Sequence, residues 1–146
     1  MDIVLDANEL FPTIIASGKK RQTKRLDLLS SQDIKFFAPY RLLAELEKNR
    51  EEVRLKSGFS HKDFNVFVEI VKLKVEPIPL ESFLDKISEA KEISPHLKDT
   101  EFFALALKFD IPIWSEEKSF KTQNKVEIFN TEELHKKIFP ENINSS

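Results

Sequence analysis

The sequence predicts an α/β protein with a parallel sheet covered on both faces by helices. Short apolar runs of strand length alternate along the chain with longer stretches of helical period. The first run, Ile3-Val4-Leu5, is continuously apolar, as a strand buried on both faces must be. Parallel strands need crossover segments between them, and the amphipathic stretches supply these. The alternation calls for a central sheet of about four or five strands, with Ile3–Leu5 near its middle.

A length of 146 residues suits one domain with one core. Thirteen Phe against one Tyr and one Trp point to a core packed with apolar rings. Cysteine is absent, which excludes disulfides, thiolate zinc sites and a cysteine nucleophile. His61, His96 and His135 lack metal-ligand spacing. The N-terminus is charged at Asp2 and runs into a strand, unlike a signal peptide. No apolar stretch approaches the roughly 20 residues of a membrane span. A cytoplasmic location without membrane contact is expected. The net charge of -2 argues against a whole-surface nucleic-acid binder but leaves room for local patches.

Each element follows in order. After the first strand, Phe11 to Ser17 reads as a short helix with Pro12 in its first turn, broken by Gly18. Lys19, Lys20, Arg21, Lys24 and Arg25 then lead into a second helix through Leu26, Leu28 and Leu29, ending near Ser30-Ser31. Ile34–Ala38 is a second strand. Pro39 opens a helix carrying Leu42, Leu43, Leu46 and Val53 on one face and ending at Ser57-Gly58. Ser60 to Asp63 resembles a capping box with Asp in place of Glu, starting a helix through Phe64, Phe67, Val68 and Val71. Val75–Pro79 carries two prolines and reads as an edge strand. Leu80 to Ile93 and His96 to Phe109 are helical, separated by Ser94-Pro95. Ile111–Ser115 and Val126–Phe129 are the last strands. Asn130 or Thr131 caps a final helix to about Ile138. The domain is expected to span residues 1–139, with 140–146 a flexible tail.

The chemistry lies in the acids. Asp6 ends the first strand, where open parallel sheets bind ligands. An Asx turn explains it equally well. Glu45 and Glu47 both flank the apolar stripe of their helix, about 200° apart, so helical geometry does not choose between them. Asp99 precedes the most apolar helix and suits its dipole. Glu101, two residues on, reads as solvent-facing. Glu116 and Glu117 follow a strand end that opens toward the same crevice as Asp6.

Together these segments resemble the PIN domain, a family of metal-dependent ribonucleases that includes the VapC toxins. The resemblance runs from Asp2 to about Leu134. It rests on IVLDAN with Asp6, on Pro39–Lys48 with Glu45, on Lys98–Ala106 with Asp99, and on Pro112–Phe120 with Ser115 and its acidic turn. The match selects Glu45 over Glu47. The turn more usually carries Asp where Glu117 stands here. The resemblance implies a three-layer α/β/α sandwich in which Asp6, Glu45, Asp99 and Glu117 bind Mg²⁺ or Mn²⁺ and carry catalysis. Such cations prefer oxygen ligands and generate an attacking water. Asn8 would fix Asp6, and Ser115 would orient a water or phosphate. Lys19, Lys20, Arg21, Lys24 and Arg25 form the densest basic cluster and would hold the backbone, their bland reading being a solvated helix start. A narrow acidic crevice suits single-stranded RNA. An antitoxin protein and a homodimer are the further partners the resemblance implies.

Three readings remain open on sequence. The first is an endoribonuclease, as the toxin of a toxin–antitoxin pair. The second is a PIN-like binding module that has lost catalysis, which the Glu117 departure favours. The third is a phosphatase-like enzyme with Asp6 as nucleophile. It ranks last, because Asn8 stands where that chemistry usually wants a second Asp.

Overall fold

The computed structural model describes residues 1–19 and 23–140. Its centre is a five-stranded sheet in the order β3-β2-β1-β4-β5, parallel throughout. The strands are β1 (Asp2–Leu5), β2 (Lys35–Pro39), β3 (Val75–Ile78), β4 (Ile113–Trp114) and β5 (Ile128–Phe129). β1 takes the middle because Ile3, Val4 and Leu5 must all leave water, and each is fully buried. It pairs Val4 with Phe37 on one side and Leu5 with Trp114 on the other. β3 lies at the edge, where Pro77 opposite Ala38 costs no further ladder.

Helices α1 (Ala7–Gly18) and α2 (Lys24–Ser30) connect β1 to β2. Helices α3 (Arg41–Lys48), α4 (Arg50–Ser57) and α5 (His61–Lys74) connect β2 to β3. Helices α6 (Ile87–Ile93) and α7 (Thr100–Phe109) lead to β4, and α8 (Thr131–Ile138) follows β5. The first two crossovers step one way along the sheet, and the third returns past β1. Right-handed connections therefore put the two groups of helices on opposite faces. α7 packs on β1, β2 and β4 with α6 against it, while α1 contacts α2 and α4, and α2 contacts α8. The reversal makes a switch point between β1 and β4, and Asp6 and Ser115 stand at its carboxyl mouth.

The rings fill the core as expected. Phe36, Phe64, Phe83, Phe103, Phe120 and Trp114 are all fully buried. Phe103 meets Phe120 at 4.9 Å between centroids, and Phe36 meets Trp114 at 5.8 Å. Trp114 Nε1 donates to Thr131 Oγ1 at 3.0 Å, pinning α8 to the sheet.

The structure corrects several boundaries. α1 begins at Ala7, not Phe11, so Pro12 lies inside the helix. The stretch expected as one helix to Ser57 is two, broken at Asn49, and Pro39 belongs to β2. Asn49 Nδ2 donates to the Glu45 carbonyl at 3.0 Å, beside its own N–H, which keeps the helical bond to the same oxygen at 3.0 Å. Leu46 and Val53 remain buried on either side, so the apolar spacing runs straight through the break. Residues 80–86 form 3₁₀ turns before α6, and Leu97–Asp99 forms another before α7. β4 and β5 keep only two paired residues each. Of the tail expected over 140–146, all but Pro140 lies outside the described residues. No helix among the described residues is long and apolar enough to cross a membrane.

Gly58 ends α4 in the left-handed region at φ 80°, with nothing near a would-be Cβ. Gly58→Ala therefore meets only backbone strain. It is expected to cost about 1 kcal/mol, read by denaturant or thermal melting.

Candidate active site

The switch-point mouth is a crevice in which acids from different elements meet. Asp6 follows β1 and is 2% exposed; Asp99 precedes α7 and is 5% exposed. Together with Asn8, Arg41, Glu45, Lys98 and Phe102 they line a cavity of about 130 Å³. A neighbouring cavity of about 320 Å³ shares Asp6 and Asn8 and adds Glu9, Arg25, Glu116 and Glu117. Asp6 is the wall between them.

Asp6 does form the Asx turn, its Oδ1 accepting from the Asn8 N–H at 3.1 Å. A turn alone does not account for its other oxygen. Oδ2 accepts from Ser115 Oγ at 2.7 Å, across the switch point. Ser115 Oγ in turn accepts from the Glu117 N–H at 3.0 Å. One buried hydroxyl thus ties the tip of β1 to the turn after β4. Its proton is committed to Asp6, so it holds that carboxylate's orientation. Asn8 reaches Asp6 through its backbone.

Burial pushes the Asp6 carboxyl above its ordinary range, against the hydrogen bonds from Ser115 and Asn8, and the Glu117 charge adds to the rise. Burial also raises Asp99, followed by the charge of Asp6, with Lys98 and His96 opposing. Asp99 makes no side-chain cap to α7. Its carboxylate faces the crevice rather than closing the helix. These are like charges sharing one site.

The other predicted residues divide. Glu45 lines the Asp6–Asp99 cavity, with Arg41 Nε 3.9 Å away. Glu47 pairs with Arg50 and Lys72 and lines neither cavity. Glu101 is partly buried, not solvent-facing: it pairs with Arg41 at 2.9 Å on the rim. Glu117 is exposed, its Oε1 accepting from Ser119 Oγ at 3.0 Å. Arg25 reaches the crevice, Lys19 is exposed, and Lys24 is held by Glu132 at 2.5 Å. Lys20 and Arg21 lie outside the described residues.

Sequence reasoning missed Glu9. It is 3% exposed, and its carboxylate accepts from Arg25 Nε at 3.1 Å and from the Glu116 N–H at 2.7 Å. It therefore joins α1, α2 and the turn after β4. Its own carboxyl is raised by burial, against those two donors. The signal was its place one helical turn after Asp6, hidden by starting α1 four residues late. Arg41 and Lys98 were also missed as crevice cations. Glu116, the first of the acidic pair, caps α8 by accepting from the Thr131 N–H at 2.8 Å.

A doubly covered parallel sheet with acids gathered at its switch point defines an open α/β domain. The PIN domain family model matches residues 4–138, and the chain belongs to that family. PIN domains are generally nucleases that use divalent metals. The fold is similar to that of a chain in the crystal structure of VapBC2 from Rickettsia felis bound to a DNA fragment from their promoter. The TM-score is 0.58 at 13% identity, over 89% of this chain and 98% of that one. Among curated protein sequences, none matches the chain.

The donors present suit such a metal. They are hard carboxylate oxygens, two of them on buried residues where the Asp6 charge opposes ionisation of Asp99 and Lys98 and His96 favour it. As placed, no three His, Asp or Glu among the described residues stand close enough to hold one ion. Glu45 lines the same cavity as Asp6 and Asp99, and Glu117 lines the adjoining one.

Proposed function

We propose that this chain is a metal-dependent endoribonuclease that hydrolyses phosphodiester bonds of single-stranded RNA. We further propose that it acts in the cytoplasm as the toxin of a toxin–antitoxin pair. The observation that carries the reading is the buried Asp6–Asp99 pair in one crevice with Glu45, three acids delivered by separate elements. A structural role does not explain burying like charges together, since the Asp6 charge raises the cost of ionising Asp99.

Asp6, Glu45 and Asp99 would hold Mg²⁺ or Mn²⁺, with Glu117 assisting. The bound cation supplies a Lewis acid and a water of lowered pKa. The residues do the rest. Ser115 fixes the Asp6 carboxylate so that its lone pairs keep one direction. Glu9 holds Arg25 at the rim, where a guanidinium meets phosphate oxygens. Lys19 is exposed and would add to that positive charge, Lys24 sharing its own with Glu132, and Lys20 and Arg21 belong to the same basic cluster by sequence. The likeness to a chain of a VapBC complex supports an antitoxin partner, and a homodimer is part of the same reading.

A second reading, a binding module without catalysis, is favoured by the exposed Glu117 and by the absence of three acids already at coordination distance among the described residues. Cleavage of end-labelled single-stranded RNA in Mn²⁺ separates the two. Wild type and Glu47→Ala are expected to cut equally, while Glu45→Ala loses at least tenfold, with both variants folded by circular dichroism. Equal activity of Glu45→Ala and wild type would remove Glu45 from the site. No cutting by wild type in Mg²⁺ or Mn²⁺ would favour the binding module.

A further inference from the structure

Beside the acid crevice runs a second groove that the proposed chemistry does not use. It encloses about 530 Å³ and is lined by Tyr40, Arg41, Ala44, Pro79, Leu80, Glu81 and Glu101. It lies at the carboxyl ends of β2 and β3, where the Tyr40 N–H donates to the Ile78 carbonyl at 2.9 Å. Neighbouring strands lie about 4.8 Å apart. The ends of β2 and β3 are therefore one and two strand spacings from the end of β1, which carries Asp6. Arg41 lines both the groove and the acid crevice, so the two adjoin at that side chain.

Tyr40 is the chain's one tyrosine and is 62% exposed. In a protein that buries most of its large rings, an aromatic left in water at the mouth of a site is unusual. Among the described residues, no ring contact or hydrogen bond engages its side chain. Leu80, facing the same space, is 44% exposed. The charges in the groove decide what fits. Arg41 is already paired with Glu101, and Glu81 adds a further negative charge. A phosphate is disfavoured there. A flat uncharged ring is favoured, with Glu81 an acceptor for an exocyclic amine.

We propose that this groove binds a nucleobase of the substrate strand, stacked on the Tyr40 ring and flanked by Pro79 and Leu80, one or two nucleotides from the phosphate at Asp6. The proposal rests on the nuclease reading, and base stacking on an exposed aromatic is tolerant of sequence. Its place is to grip the strand, so Tyr40 contributes to binding rather than to the bond-breaking step.

The test separates binding from cleavage. Single-stranded RNA ten-mers, each with a fluorescent purine analogue at one position, are titrated with protein in chelator, where stacking quenches the analogue. Wild type and Tyr40→Phe are expected to quench it. Tyr40→Ala is expected to lose the quench and to bind roughly ten- to hundredfold more weakly, the scale of one lost base–aromatic stack. In Mn²⁺, Tyr40→Ala should then show a raised KM at nearly unchanged kcat. Equal quenching and equal KM in Tyr40→Ala would overturn the base site while leaving the nuclease reading intact. Tyr40-dependent quenching by a wild type that cuts nothing would keep the base site and sink the nuclease reading. Unchanged RNA binding with lost binding of a protein partner would assign the groove to that protein and overturn the proposal.

Discussion

Asp6→Asn is expected to reduce RNA cleavage by orders of magnitude while leaving the fold intact. Asparagine keeps the size of the side chain; its Oδ1 can still accept from the Asn8 N–H, and its Nδ2 stands where the second oxygen met Ser115 and donates to that hydroxyl instead of accepting from it. If the Asx turn were its whole role, Asn would serve as well. The charge is what goes, and charge is what a cation site needs. Stability should be unchanged or slightly raised. Asp6 and Asp99 both have folded carboxyls above the ordinary range, chiefly through burial. Below the unfolded value both states hold the proton and no penalty exists. As pH rises through the raised folded values, the fold must bear charges it disfavours and stability falls. In chelator, wild type should therefore lose more stability than Asp6→Asn between the ordinary carboxylate range and neutrality. The comparison is between the two proteins, because Glu51, Asp85, Glu132 and Glu133 are shifted downward by their partners and slope the other way. A divalent cation should reverse the sign, since its binding displaces those protons.

Glu9→Ala is expected to have the largest effect on stability. The Glu9 carboxylate is buried and serves two donors, Arg25 Nε and the Glu116 N–H. Alanine leaves both unpaired. Loss of one partner of a fully buried ion pair costs about 3–5 kcal/mol. Arg25 is about a third exposed and recovers some hydration, so about 2–3 kcal/mol is expected. Glu9→Gln keeps one acceptor and should lose roughly half as much. Cleavage should fall in both, because Arg25 and the Glu116-Glu117 turn lose their common anchor. Urea melts of the three proteins check the order. A Glu9→Ala chain as stable as wild type would show the clamp to be dispensable.

The fold was legible where composition leaves one solution. Ile3-Val4-Leu5 has no polar face, so it can only be a central strand, and Asp6 follows from its end. The prolines of Val75–Pro79 likewise put that strand at the edge. Boundaries were less legible. The break at Asn49, a residue at φ −102° and ψ 11°, leaves the apolar spacing unchanged. Pro12 suggested a first turn, yet the chain accepts it inside α1. That misplacement concealed Glu9, whose role depends on Arg25 and on a turn more than a hundred residues away. Periodicity reports which face is buried, and it carries no information on which distant donors meet there. Glu45 over Glu47 likewise came from the family resemblance, and the structure brings Glu45 to the Asp6 cavity and Glu47 to surface lysine and arginine.

The central claim is that buried carboxylates at the switch point hold a cation that makes this chain a nuclease. The most direct measurement follows cleavage of single-stranded RNA by wild type and Asp99→Asn, each in Mn²⁺ and in chelator. Asp99 is chosen because no side-chain cap ties it to α7, so the exchange to Asn leaves the helix start alone. The account predicts cutting by wild type in Mn²⁺ only, and none by Asp99→Asn in either condition. Cutting by wild type in chelator, or equal cutting by the two proteins in Mn²⁺, would contradict it.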